Sequence, residues 1–262
     1  MNSDREDPAD ILSDSLEFLG GTKVVEDPVL TYGHLRLTVA PKEGKAITLL
    51  ADHLFSPGLF LAEKIERAVI QAPGRNVIEL GAGTGLPSLL LSICDPPPAS
   101  VIVTDYPDPG ILGNLARNIE RNKHLVSPGC DLHCCGHEWG TDVSAISSLS
   151  KRPDHKYDMI ILSDLLHFHS SHAMLISSVV ALLATDGCVH VAAGYYTKPH
   201  VCENFLRLAA ESGLDFDEVI AGGGERDWLG FMDVGGLDKN ALTLRKAACR
   251  YWIGKRRSTR MQ

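Results

Sequence analysis

In Val77-Ile78-Glu79-Leu80-Gly81-Ala82-Gly83-Thr84-Gly85 a short apolar run ends in three glycines at every second position, and Leu86-Pro87 follows. The run reads as a strand and the residues after Gly85 as a helix. Glycines at such a turn adopt positive φ without strain and leave no Cβ between the backbone and a ligand. The helix N-terminus beyond offers free N–H groups and partial positive charge to an anionic group. The chemistry expected here is cofactor binding. Twenty residues beyond Gly85, Asp105 ends the next apolar run, where a carboxylate can accept both hydroxyls of a ribose.

A third stretch, Ser163-Asp164-Leu165-Leu166-His167-Phe168-His169, follows the apolar run Met159–Leu162. Asp164 is placed to orient an amine or remove its proton. An N-cap or an ion pair is its structural alternative. His167 carries an imidazole that titrates near neutrality and can act as a base; a solvent-exposed loop histidine is the more ordinary reading.

Which cofactor the glycines serve is decided by their spacing. A dinucleotide turn needs glycine at the sixth place of G-x-G-x-x-G, where this chain has Leu86. That favours an adenosyl cofactor over a nicotinamide one, although Asp105 alone serves either. No metal is expected. In His133-Cys134-Cys135-Gly136-His137 strand alternation splits the ligands between two faces, and His167, His169 and His172 lack a fourth ligand.

The elements that must position these residues follow a βα alternation. Strands are expected at Val77–Leu80, Val101–Thr104, Leu132–Cys135, Met159–Leu162, Val189–Ala193 and Phe216–Ile220. Helices are expected at Leu86–Ile93, Ile111–Lys123, Ala173–Leu183 and Val201–Ser212, with another from about Leu59 to Ile70. Such a pattern implies an α/β fold with a doubly wound, mostly parallel sheet, whose ligands bind beyond the carboxyl ends of the strands. A final segment from Ala241-Leu242-Thr243-Leu244 to Tyr251-Trp252 reads as an added antiparallel strand. Upstream, Leu35–Val39 and Ala46–Leu50 read as a hairpin that would form a lid or substrate wall. Residues 1–22 are an expected acidic arm, either a short docked helix or a recruiter of a basic substrate. Residues 23–262 are expected to form one domain, the hairpin extension occupying about 23–53 and the core about 54–262.

With 262 residues, 44% hydrophobic and 22% charged, the chain is long enough for a large core. A formal charge of −8 argues against nucleic acid as partner, because phosphate binding needs a basic footprint. No stretch reads as a signal peptide or a bilayer span. The seven scattered cysteines are those of reduced thiols, so a cytoplasmic monomer without membrane partners is expected.

Glu79–Gly85 followed by Thr104-Asp105-Tyr106 resembles the class I S-adenosylmethionine-dependent methyltransferases. Thr104-Asp105-Tyr106-Pro107-Asp108-Pro109, Gly136-His137-Glu138-Trp139-Gly140 and Ser163-Asp164-Leu165-Leu166 narrow the resemblance to their lysine-methyltransferase-like, or nicotinamide N-methyltransferase-like, branch. The resemblance covers roughly residues 10–220. It implies a Rossmann-like seven-stranded sheet, S-adenosyl-L-methionine as cofactor and N-methylation as the reaction. The acceptor it implies is a lysine or N-terminal amine of a protein, with translation elongation factor 1-alpha as the candidate among fungal members. A small heteroaromatic amine and a non-catalytic adenosyl-binding protein are the alternatives. Carried over, Gly81, Ala82 and Gly83 approach the methionine part, Asp105 holds the ribose, Trp139 packs on the adenine and Ser163 touches the cofactor. Glu79 would act near the methionine ammonium, and Phe55 stands where the family usually has tryptophan. The family often has an aromatic three residues after the acid; His167 departs from that.

Overall fold

The structure is a computed structural model that describes residues 29–41, 44–50, 53–220 and 222–257. The acidic arm expected at 1–22 lies outside them. Two short strands come first, β1 (Leu30–Tyr32) and β2 (Leu35–Leu37), followed by helices α1 (Gly44–Thr48) and α2 (Ser56–Glu66). Strands and helices then alternate as β3 (Asn76–Leu80), α3 (Leu86–Ser92), β4 (Ser100–Asp105), α4 (Pro109–Asn122) and β5 (Asp131–Gly136). A short α5 (Ser144–Ser147) precedes β6 (Tyr157–Ser163), α6 (His172–Leu182), β7 (Leu183–Gly194), α7 (Pro199–Glu211) and β8 (Leu214–Glu218). The described chain ends with α8 (Lys239–Ala247) and β9 (Cys249–Arg256).

One seven-stranded sheet has the order β5-β4-β3-β6-β7-β9-β8. The strands from β5 to β7 run parallel, whereas β9 is antiparallel to both β7 and β8. After β3 the chain winds outward through β4 and β5, then returns to β3's other side with β6. That reversal opens a crevice at the carboxyl ends of β3, β4 and β6, the place where such sheets bind ligands.

All five residues of β3 are buried, as befits a central strand covered on both faces. Against one face pack α2, α3 and α4 through Leu61, Ile65, Leu89 and Leu115; against the other, α6 and α7 pack through Leu175, Val179 and Phe205. Helix α4 starts cleanly because the Asp108 carboxylate accepts the N–H groups of Gly110 and Ile111, at 2.9 and 3.2 Å, while Pro109 occupies the first turn.

The hairpin is present but in a different register. Leu35–Leu37 pairs with Leu30–Tyr32 across the Gly33-His34 turn, and Gly44–Thr48 is a helix. A short apolar run does not distinguish helix from strand, and Ala46 here packs on Ala40 and Ile111 as a helix. The paired strands do not wall the crevice, but the end of the expected extension does, through Leu49 and Leu50. The β1–β2 hairpin stands elsewhere. It backs onto α4, where Asn118 accepts from the Thr38 N–H at 2.8 Å and Asn122 from the Arg36 N–H at 2.9 Å. Ala241–Leu244 is also helical rather than extended, capped by the Asp238 carboxylate on the Ala241 N–H at 2.8 Å. Only the later part of that segment is extended, as β9, and it has the expected antiparallel sense.

Candidate active site

A cavity of ≈ 260 Å³ opens at the crevice. Of the residues singled out from the sequence, Phe55, Gly81, Ala82, Gly83, Asp105, Trp139, Ser163, Asp164 and His167 all line it. Glu79 does not. Its side chain is fully buried below the turn, where Oε2 accepts the Ser88 N–H at 3.2 Å and so holds the first turn of α3. Burial pushes its carboxyl up to about 8, with the nearby Asp105 adding to this and the bond from Ser88 opposing it.

The turn itself has φ values of +61° at Gly81, +55° at Gly83 and +77° at Gly85. At Gly81 a Cβ would lie 2.7 Å from Leu165 and 3.0 Å from Trp139. At Gly83 a Cβ would meet nothing within 4 Å, so the backbone there faces open space. Asp105 accepts the Gly83 N–H at 2.6 Å and the Tyr106 N–H at 2.7 Å. Burial raises its carboxyl to about 6, and those two N–H groups pull it back.

Trp139 is presented by a pinned loop. The His137 N–H donates to the Asp105 carbonyl at 2.8 Å, and the Gly140 N–H donates to Ser178 Oγ at 2.9 Å. Ser178 Oγ lies 3.0 Å from His137 Nε2, and burial keeps that imidazole neutral by lowering its pKa. The indole then meets Phe168 edge-on, with centroids 5.8 Å apart.

At the end of β6, Asp164 sits in the left-handed region at φ +64°, an uncommon position for a residue with a Cβ. Its N–H donates to the Ala192 carbonyl at 2.8 Å. Among the described residues neither an N-cap role nor an ion pair occupies the carboxylate. Oδ1 accepts a long bond from the Gly194 N–H at 3.4 Å, and Oδ2 accepts the Tyr196 O–H. Burial raises this acid to about 7. Sequence reasoning missed Tyr196 as its partner; the available signal was its place just past the strand beside β6.

His167 is not a solvent-exposed loop histidine. Both ring nitrogens are buried without a well-formed hydrogen bond, and the ring lies 3.9 Å from that of Phe168. Burial lowers its pKa to about 4, so the imidazole is neutral at pH 7. His172, from the same stretch, pins the loop through Nε2 to the Leu166 carbonyl at 2.7 Å. Among the described residues no three His, Cys, Asp or Glu side chains are grouped to hold a metal.

Taken together, the cavity is lined by backbone without side chains, an acid bonded to it, an aromatic ring on a pinned loop and a second buried acid. A ligand with a diol, a flat base and a reactive end fits that sequence of surfaces. Comparison with known proteins gives the class. A profile of lysine methyltransferases matches residues 44–211. The protein N-terminal and lysine N-methyltransferase efm7 of Schizosaccharomyces pombe is 28% identical over 178 residues, covering 66% of this chain and 68% of that protein. The corresponding EFM7 of Gibberella zeae is 30% identical over 198 residues, covering 68% and 74%. Among solved structures, that of the mitomycin 7-O-methyltransferase MmcR covers 81% of this chain and 57% of its own at a TM-score of 0.51 and 12% identity, a likeness of fold alone. With more than half of its length matched by that profile and the methyltransferase fold around the crevice, this chain belongs to the lysine methyltransferase family.

Proposed function

We propose that this methyltransferase moves a methyl group from S-adenosyl-L-methionine to an amine nitrogen of a protein, a lysine side chain or an N-terminal amino group. Translation elongation factor 1-alpha is the candidate substrate. The observation that carries the reading is the meeting, on one cavity, of the glycine turn with Asp105 and of a second buried acid, Asp164.

The residues present fit the cofactor. Gly83 leaves open the space a Cβ would fill, Asp105 has lone pairs left for two hydroxyls, and Trp139 offers a flat face for the base. In this reading Gly81, Ala82 and Gly83 meet the methionine part, Ser163 lies beside it and Glu79 keeps the turn in shape from below. When bound, the cofactor supplies an electrophilic methyl group on a cationic sulfur.

The protein's own work is positional. A protein amine arrives as an ammonium ion and becomes a nucleophile only after losing a proton. Asp164, raised to about 7, is half-ionised at neutral pH and is matched to that task. His167 is neutral, so it walls the channel with Phe55 and Phe168 and adds no charge that would repel an ammonium. The apolar wall keeps water from the reacting pair.

A heteroaromatic amine would call for a nearly closed pocket walled by His167, Phe168, Tyr195 and Tyr196; His167 and Phe168 line the cavity, whereas Tyr195 is 62% exposed and leaves that wall incomplete. The charge of −8 suits a basic polypeptide and a neutral small molecule equally and disfavours nucleic acid. Cytoplasmic location, a monomeric state and one methyltransferase domain behind an acidic arm belong to the same proposal; the seven cysteines, all free, support the location. None of the described helices is long and apolar enough to cross a membrane. Transfer of tritiated methyl from the cofactor to elongation factor 1-alpha, other lysate proteins and nicotinamide tests this reading. Label in protein amines is expected. Label in nicotinamide alone would overturn it, and tight S-adenosylhomocysteine binding without any transfer would leave an adenosyl-binding protein.

A further inference from the structure

Asp164 is held by a residue from a different strand, and that residue has been built into place. Strands β6 and β7 are parallel with Ser163 beside Ala192, so the chain leaving β7 emerges next to Asp164. There it turns back. The Tyr195 N–H donates to the Ala248 carbonyl at 2.8 Å, and the Thr197 N–H donates to the Gly194 carbonyl at 3.0 Å. This folds the Tyr196 ring over Gly194, where a Cβ would collide with it. The ring also meets His167 edge-on at 6.5 Å and Phe55 at 6.3 Å, both on the cavity wall. Its hydroxyl ends on Asp164 Oδ2.

We propose that Tyr196 is the positioning residue for Asp164: its O–H fixes Oδ2, and Oδ1, held only by the long Gly194 bond, takes the proton of the acceptor amine. The inference rests on the amine-acceptor reading above. In the step, an ammonium N–H bond breaks, the proton passes to Asp164 Oδ1 and the electron pair stays on nitrogen. Tyr196 keeps its own proton throughout, because burial and the adjacent acid push the phenol well above its usual range. It is a donor and not a base.

The other groups near this pair leave Asp164 to Tyr196. Cys249, at the start of β9, is held as a thiol by burial and by Asp164. Arg245 on α8 faces Cys249, and His167 is neutral. The Tyr196 hydrogen bond is the leading influence that lowers the acid against burial, with a smaller one from the Gly194 N–H. Loss of the hydroxyl therefore raises the Asp164 pKa.

Tyr196→Phe keeps the ring against Phe55 and His167 and removes only the donor. Its acid limb of kcat/KM is expected to move up by about one pH unit, so activity at pH 7 falls about fivefold and recovers above pH 9. S-adenosylhomocysteine affinity should stay within about twofold, since the hydroxyl meets only Asp164. A merely structural lesion would lower activity at every pH. An independent readout needs no turnover: carbon-13 NMR of aspartate carboxyls, with Asp164→Asn assigning the resonance. An Asp164 signal titrating near neutrality that moves upward in Tyr196→Phe supports the proposal. An Asp164 titration unchanged in Tyr196→Phe, or an unmoved pH profile, overturns it. If the wild-type protein methylates no amine, the amine reading fails, while the titration still decides whether Tyr196 governs Asp164.

Discussion

Asp105, the last residue of β4, accepts the backbone N–H of Gly83 at 2.6 Å and so ties the second strand of the crevice to the glycine turn. One carboxylate thus shapes the turn while facing the cavity beside it.

Asp105→Ala is expected to weaken S-adenosylhomocysteine binding by about 10–100-fold, the loss of one or two hydrogen bonds to a charged group. The dependence on pH is a sharper check. The free acid sits at about 6, raised by burial, and only its ionised form accepts two hydroxyls. Affinity in the wild-type protein should therefore fall about tenfold per unit below pH 6. Isothermal titration of Asp105→Asn should give a flat profile there.

Two glycines two positions apart, Gly81 and Gly83, should respond differently to alanine. Gly81→Ala puts a Cβ against Leu165 and Trp139 at φ +61°, so about 1–3 kcal/mol of stability is lost and Trp139 shifts. Gly83→Ala costs only the left-handed backbone term, about 1–2 kcal/mol, but places its methyl in the ligand's space. Thermal melts with and without S-adenosylhomocysteine separate them: Gly83→Ala should show the smaller fall in Tm and the larger loss of ligand-induced stabilisation.

Asp164→Asn preserves shape and removes the proposed base. Methyl transfer should fall by about 10²–10⁴-fold with cofactor affinity little changed. In the wild-type enzyme kcat/KM should rise with pH to about 7, where burial has placed this acid, and level off above. Steady-state rates across pH 5.5 to 9, a window of about 1.5–2 units either side of that value, check both statements.

Stability has a separate centre behind α2. Lys246 Nζ meets Glu63 Oε1 at 2.6 Å with both side chains almost wholly buried, and the Leu229 N–H donates to the same oxygen at 2.7 Å. Lys246→Met leaves that carboxylate with only the more distant Arg67 guanidinium, at 3.9 Å, and should cost up to about 3–5 kcal/mol. Neither residue lines the cavity, so urea unfolding should register the change while the folded fraction binds S-adenosylhomocysteine normally.

Much of the site was legible because its chemistry is local. The Gly81–Gly85 turn, Asp105 at a strand end and Ser163-Asp164 at another each announce themselves within a few residues, and the βα alternation puts their strand ends on one side of the sheet. Segments whose conformation depends on a partner were read less well. Ala46–Leu50 and Ala241–Leu244 are apolar runs compatible with either helix or strand, and each was settled by what it packs against or how it is capped. Glu79, next to the glycines in sequence, does not line the cavity, because its buried carboxylate is taken up by the Ser88 N–H in the first turn of α3.

What the sequence determined by itself is the half of the cavity proposed for the donor: glycine spacing and a carboxylate at a strand end are conditions that neighbouring residues impose on the backbone. The tertiary structure decided the half proposed for the acceptor. Tyr196 reaches Asp164 across 32 residues, His167 is made neutral by the walls around it, and Asp164 is held at positive φ between the Ala192 carbonyl and the Gly194 N–H. Burial and cross-strand hydrogen bonds set the protonation of an acid or an imidazole, and neither exists until distant strands are side by side.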